Sequence, residues 1–130
     1  MRDFKKEIFL IYQELMYLKD MKEVFNFLIF PKDRINIVNS ANNDLYYPTV
    51  LDKISFVYFT IVHNHYFSDW NKRTWTLFLI TSLYKYFNFN INTNNKKVFL
   101  KDLAISVANW TIQDWRIIKN KLVFLLKSFI

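Results

Sequence analysis

Glycine is absent from all 130 residues, cysteine is absent as well, and proline occurs twice. Without cysteine there is no disulfide, no thiolate zinc site and no thiol nucleophile, which fits a reducing compartment. Without glycine, any turn that needs positive φ falls to Asn or Asp, which tolerate it best after glycine. Long apolar runs are missing too. Lys53, His63 and Lys85 interrupt the candidates well short of the roughly 20 residues that a membrane span needs. The opening stretch MRDFKKEIFLIYQELMYLKDMKE is charged throughout, so a cytoplasmic protein with no secretory signal and no membrane partner is expected.

What is present is apolar and basic. Hydrophobic residues make up 52% of the chain and aromatics 20%, enough for a packed core rather than a disordered chain. The length is that of one domain, 1–130. Lys and Arg number 18 against 11 acidic residues, a net charge of +7 that suits an anionic partner. The charge is diffuse, however, and Lys, Asn, Ile, Phe and Tyr are abundant together, as in proteins from AT-rich genomes. Much of it therefore reads as a solvated surface. No DNA- or RNA-reading helix is recognisable, so nucleic acid is not the expected partner.

Periodicity predicts an all-α fold. A first helix is expected from about Asp3 to Leu18, with Phe4, Ile8, Ile11, Leu15 and Leu18 on one stripe and Asp3 as N-cap. A short second helix from about Met21 to Ile29 ends before Pro31, completing an N-terminal part, 1–31. The segment 32–47 has no helical period and reads as a loop or small hairpin, with RINIV (Arg34, Ile35, Asn36, Ile37, Val38) the best strand candidate. Over 48–130, Pro48 is expected to open a helix running to about His63, and another follows from about Asn71 to Phe87. Both are apolar nearly all round and should be buried on all sides at the centre of a compact bundle. NFNINTNNKK reads as a polar connector. Two further helices are expected, from about Leu100 to Trp110 and from about Gln113 to Phe129. The last carries Trp115, Ile118, Leu122, Leu125 and Phe129 on one stripe.

Between the two apolar helices stands HNHYFSDWNKRT, far more polar than a connector needs. His65 continues the inward face set by Leu51, Ile54, Tyr58 and Ile61, as a base over the connector or as a cap on the helix dipole. Phe67 is an apolar anchor. Asp69 suits one or two positions on Mg²⁺, a hard oxygen-seeking cation, or serves as an N-cap. Asn71, Lys72 and Arg73 fall in the first turn of the next helix, where exposed N–H groups and the dipole already form an anion site. Basic side chains there oppose the dipole and so ask for a reason. A point charge and a bidentate fork for phosphate oxygens supply one. Within nine residues the chain offers a base, a metal ligand and a phosphate cradle.

HYFSDWNKR resembles the signature of the Fic/Doc (Fido) family, H-x-F-x-[D/E/N]-[G/A]-N-[G/K]-R. His65, Phe67, Asp69, Asn71, Lys72 and Arg73 all match. LYYPTVLDKISFVYFTIVHNH looks like the family's preceding helix, and DLAISVANWTIQDWRIIKNKLVFLL is similar to its C-terminal helices, so the resemblance runs from about Leu45 onward. It implies a Fido-like helical bundle with a central helix–loop–helix and a short flap. By the same resemblance the protein is a transferase using ATP and Mg²⁺. His65 would be the general base, Asp69 the metal ligand, and Asn71, Lys72 and Arg73 the phosphate-binding residues. Phe67 would be structural, and Arg34, Ile35, Asn36, Ile37 and Val38 would be the flap that docks a target protein.

Lys72 in place of Gly, and Thr76 where many members carry a second arginine, resemble the Doc branch. That branch implies phosphate transfer to a protein Ser, Thr or Tyr hydroxyl before AMP transfer. The implied setting is a toxin restrained by an antitoxin, or an effector delivered into a host cytoplasm. Trp70 departs from the pattern, where Gly or Ala is usual. It obstructs phosphate approach, or turns outward and stacks on a ligand, or marks a domain that has become a nucleotide- or protein-binding module.

Overall fold

The structure, a computed structural model, describes residues 2–17, 36–64 and 71–128, with the backbone alone at 12, 13, 15–17, 36 and 71. Among them stand five α-helices, one 3₁₀ helix and no strand. The helices are α1 (Phe4–Tyr17), α2 (Val50–Asn64), α3 (Asn71–Phe87), α4 (Asn94–Ala108) and α5 (Trp115–Ser128), with the 3₁₀ helix at Asn36–Asn42. The expected helix from Met21 to Ile29 lies outside the described residues.

Helix α1 begins as the sequence implies. The Asp3 carboxylate accepts the Lys6 N–H at 3.1 Å, which is what holds its pKa below the ordinary value. Asn39 of the 3₁₀ helix also donates to that carboxylate and accepts the Lys5 N–H. Two orphan amides of α1 are thereby satisfied, one from within the helix and one from its neighbour. Phe4 and Ile8 are fully buried. The Arg2 guanidinium pairs with both Glu7 oxygens, at 2.6 and 2.9 Å, and lies 4.2 Å from both the Phe4 and Tyr86 ring centroids. That sandwich ties the start of α1 to the end of α3.

The strand expected at RINIV is corrected for residues 36–38, which open the 3₁₀ helix. Short polar side chains decide it. The Ser40 hydroxyl donates to the Ile37 carbonyl at 2.6 Å, while Asn39 and Asn42 bond to the N-terminal segment. Such local bonds offer the backbone a tight turn in place of a ladder. The Lys53 ammonium then fastens the following loop to α2, through the Ala41 and Tyr47 carbonyls and the Asp44 carboxylate.

Helix α2 is the centre of the bundle. It touches the 3₁₀ helix, α3, α4 and α5, and buries Leu51, Ile54, Val57, Tyr58, Ile61 and Val62, while Lys53, Phe56, Phe59 and His63 form a partly exposed stripe. Burial raises the pKa of the Tyr58 phenol, which stays protonated. Pro48 does not occupy the first turn, because Thr49 takes the cap. Thr49 Oγ1 accepts the Asp52 N–H at 3.1 Å, and Asp52 Oδ2 accepts the Thr49 N–H at 3.0 Å, a reciprocal box.

Asp52 also binds Lys119 of α5 at 2.7 Å, although it is only 2% exposed. Burial pushes its pKa up, but the bonds from Lys119 and Thr49 outweigh burial and leave it below 3.8. The stabilisation is therefore complete above that ordinary value and lost as pH falls through the lower folded one. Asp52→Asn is expected to cost about 1–2 kcal/mol at pH 7. In thermal melts the gap to wild type should close as pH falls below the ordinary carboxylate range; a gap independent of pH would remove the charge from the account.

Helix α3 corrects the second central helix of the sequence reading. It buries Thr74, Trp75, Phe78, Leu79, Ser82 and Leu83 on one side, and exposes Lys72, Arg73, Thr76, Thr81, Tyr84 and Lys85 on the other. It packs on α1 and α2. Its aromatic residues made both faces look apolar, but Tyr84 and Phe87 stand in solvent.

The connector is shorter than its composition suggests. Thr93 caps α4, its hydroxyl accepting the Lys96 N–H, so the helix starts at Asn94 rather than near Leu100. Lys96 pins the remaining turn through the Asn90 carbonyl and the Asn92 side chain, over the Phe89 ring. Helix α5 buries Ile118, Leu122 and Leu125 as its stripe implies, whereas Phe129 lies outside the described residues. The left-handed corner after α3 goes to Asn88, at φ 52, as expected in a chain without glycine. The corner after α4 goes to Trp110, at φ 67. A bulky residue is costly there, on the order of 1–3 kcal/mol. The helix expected to run to Trp110 ends at Ala108, with Asn109 as its C-cap.

Candidate functional site

The site is built on the first turn of α3. Lys72 and Arg73 are exposed in the first turn, at the positive end of the helix dipole. Thr74 and Trp75, next in sequence, are buried and fix the turn against the core. Thr76 returns to the surface one turn after Lys72, and its hydroxyl donates to the Lys72 carbonyl at 2.8 Å. Lys72, Arg73, Thr76 and Leu77 line a shallow open depression there.

Beside that turn opens a cavity of about 580 Å³ between α3 and α4. This is within the range of small-molecule sites. Trp75, Ile80, Ile91, Leu100 and Ile105 give it apolar walls, while Lys72, Lys97 and Lys101 supply positive charge. Among the described residues, none that lines it is acidic. Lys97 and Lys101 were missed by the motif reading. Their i, i+4 spacing on one helix face was available, but Lys97 had been assigned to the connector.

Of the sequence-predicted residues, His65, Phe67 and Asp69 lie outside the described residues, as does Trp70. Asn71 is the first residue of α3. Arg34 and Ile35 lie outside as well, and Asn36 opens the 3₁₀ helix. Ile37 is half exposed, whereas Val38 is fully buried and belongs to the core. Among the described residues no cluster of three His, Asp or Glu side chains could hold a metal. No described helix is long and apolar enough to cross a membrane.

The described residues thus form a helical bundle in which a basic helix start stands beside an apolar, lysine-lined cavity. The Fic/DOC family model matches residues 5–83, more than half of the chain, and the protein belongs to that family. The family's fold is in general that of a transferase. The match starts far ahead of Leu45, where the resemblance had been read to begin, and ends within α3, so it does not include the C-terminal helices. No curated protein and no solved structure matched the chain.

Proposed function

We propose that the protein transfers the terminal phosphate of ATP to a hydroxyl side chain of a target protein. The observation that carries this reading is the convergence of Lys72, at the start of α3, with Lys97 and Lys101 on one cavity with apolar walls. Three ammonium groups lining one cavity favour an anionic ligand, and phosphate is an anion that lysine commonly binds. Lys72, Lys97 and Lys101 would neutralise the polyphosphate, and the apolar walls would receive the nucleoside.

His65 would take the proton of the target hydroxyl. The hydroxyl oxygen then bonds to the terminal phosphorus, and the bond to the bridging oxygen breaks with its electron pair leaving on ADP. Arg73 steadies the charge on the transferred group. Asp69 is a single carboxylate, and Mg²⁺ commonly takes one or two carboxylates and completes its shell with phosphate oxygens and water. The ion would supply positive charge to those phosphates. Thr76 offers no second guanidinium for an attacked inner phosphate, which supports phosphate transfer over AMP transfer.

Half-exposed Ile37 is the described flap residue best placed to meet a target chain. A toxin or effector role, with an antitoxin as restraint in the first case, is the setting we infer. The rival reading is a binding module without transfer chemistry, and it draws on Trp70, a bulky residue at a motif position where a small one is usual and secures close backbone approach.

One labelling experiment decides among these. A lysate incubated with the protein should gain label from γ-labelled ATP and none from α-labelled ATP. Label from the α position alone would establish AMP transfer. Label from neither position, with ATP binding intact, would leave the binding module.

A further inference from the structure

Helices α3 and α4 both pack on α2 but scarcely on one another, and the cavity beside Lys72 is the space this leaves between them. It does not end at Ile80 and Ile91. The same two residues also line a second, open depression, where Tyr84 and Phe89 continue the surface. From Lys72 to Tyr84 the lining thus follows α3 for about 18 Å, at 1.5 Å per residue. Among the described residues none that lines either part is acidic.

Two features of this groove point to one kind of ligand. Lys97 and Lys101 stand one turn apart on α4, where Cβ atoms are about 5–6 Å apart, so both flexible stems can reach a single carboxylate. Both are exposed, and among the described residues neither is ion-paired with a carboxylate. The walls are the second feature. Ile80, Ile91, Leu100, Ala104 and Ile105 offer no hydrogen-bonding side-chain group. A peptide backbone laid against them would leave polar groups unmet, whereas a methylene chain has none to satisfy. A chain of twelve carbons extends about 14 Å, given carbon–carbon bonds of about 1.5 Å, and so fits within the length of the groove.

We propose that the groove between α3 and α4 binds a long-chain acyl carboxylate, its head held by Lys97 and Lys101 and its chain lying on the apolar lining. The proposal goes beyond phosphate transfer and does not rest on it. An acyl anion there would be a competitor for the nucleoside of the proposed function, since both use the same walls.

Calorimetric titration of the full chain with octanoate, decanoate and dodecanoate, each below its micellar range, tests the assignment. Binding should saturate at one ligand per chain, and affinity should rise about two- to four-fold for each methylene added. Decanoate should bind about 3–10-fold more tightly than decanol, which has the chain without the charge. Affinity that does not grow with chain length overturns the proposal, and so does decanol binding as tightly as decanoate. Ala104→Phe, which fills the groove from α4, should lower decanoate affinity at least about ten-fold; an unchanged affinity places the chain elsewhere and overturns it. If that variant does not fold, Lys97→Met combined with Lys101→Met decides, because both residues are exposed. The pair should remove the preference for decanoate over decanol while decanol binding persists, and a preference that survives overturns the assignment. Binding of phosphatidylglycerol vesicles, or of a glutamate-rich amphipathic helical peptide, with none of free decanoate or dodecanoate would make the groove a docking surface for a membrane or a protein and equally overturn it. Neither ATP nor label transfer enters these titrations, so this proposal and the phosphate-transfer reading fail separately.

Discussion

His65→Ala is expected to lower phosphate transfer by about 10²–10⁴-fold, the usual contribution of a positioned general base. A target hydroxyl attacks weakly while it keeps its proton, and no other described side chain is proposed to remove it. Nucleotide affinity should be nearly unchanged, because Lys72, Arg73 and the cavity between α3 and α4 remain in place. Transfer measured with γ-labelled ATP, beside ATP titration of the same preparation, separates the two quantities. Wild-type turnover in this variant would remove His65 from the mechanism. A variant that loses its fold would return His65 to the capping role at the end of α2.

Arg73→Ala should also cost about 10²–10³-fold in kcat, by loss of the charge proposed to face the transferred group. The guanidinium presents a planar fork to two phosphate oxygens, which an ammonium cannot reproduce, so Arg73→Lys is expected to recover only part of the rate. Arg73 is exposed in the first turn of α3, so truncation should leave the helical circular dichroism spectrum intact. The informative comparison is with Lys72→Ala, which removes a charge from both the first turn and the cavity. That variant should act mainly on KM for ATP. Equal effects of both variants on KM, with kcat unchanged, would assign Arg73 to binding alone.

The legible part of the fold was the part written in spacing. The stripe of α5, the buried course of α2 and the Asp3 cap of α1 follow from apolar period and a short polar residue at a helix start. The illegible part depended on partners distant in sequence. Arg2 meets Ser82 and Tyr86 across some eighty residues, and Asp52 meets Lys119. No local pattern announces either pair. Thr93 was overlooked because its neighbours are uniformly polar, which hid a helix start inside a stretch that reads as linker. For the site, the motif located the cations Lys72 and Arg73, since their residue type at a helix start is itself anomalous. The cavity beside them was not legible, because it arises where α3 faces α4 and the approach of two helices leaves no mark on either alone.

The left-handed corners at Asn88 and Trp110 bear on the unfolded chain as much as on the folded one. With no glycine anywhere, each residue carries a Cβ that narrows the conformations open to the denatured state. Folding therefore forfeits less backbone entropy per residue than it would in a chain with flexible joints, on the order of 0.4–1 kcal/mol for each joint that is avoided. Set against this is the local strain where the native backbone turns left without glycine. The two terms are of similar size and opposite sign. A bundle of this kind can thus place a bulky side chain at a corner and lose little net stability, because the same composition that strains the corner also impoverishes the disorder with which the folded state competes.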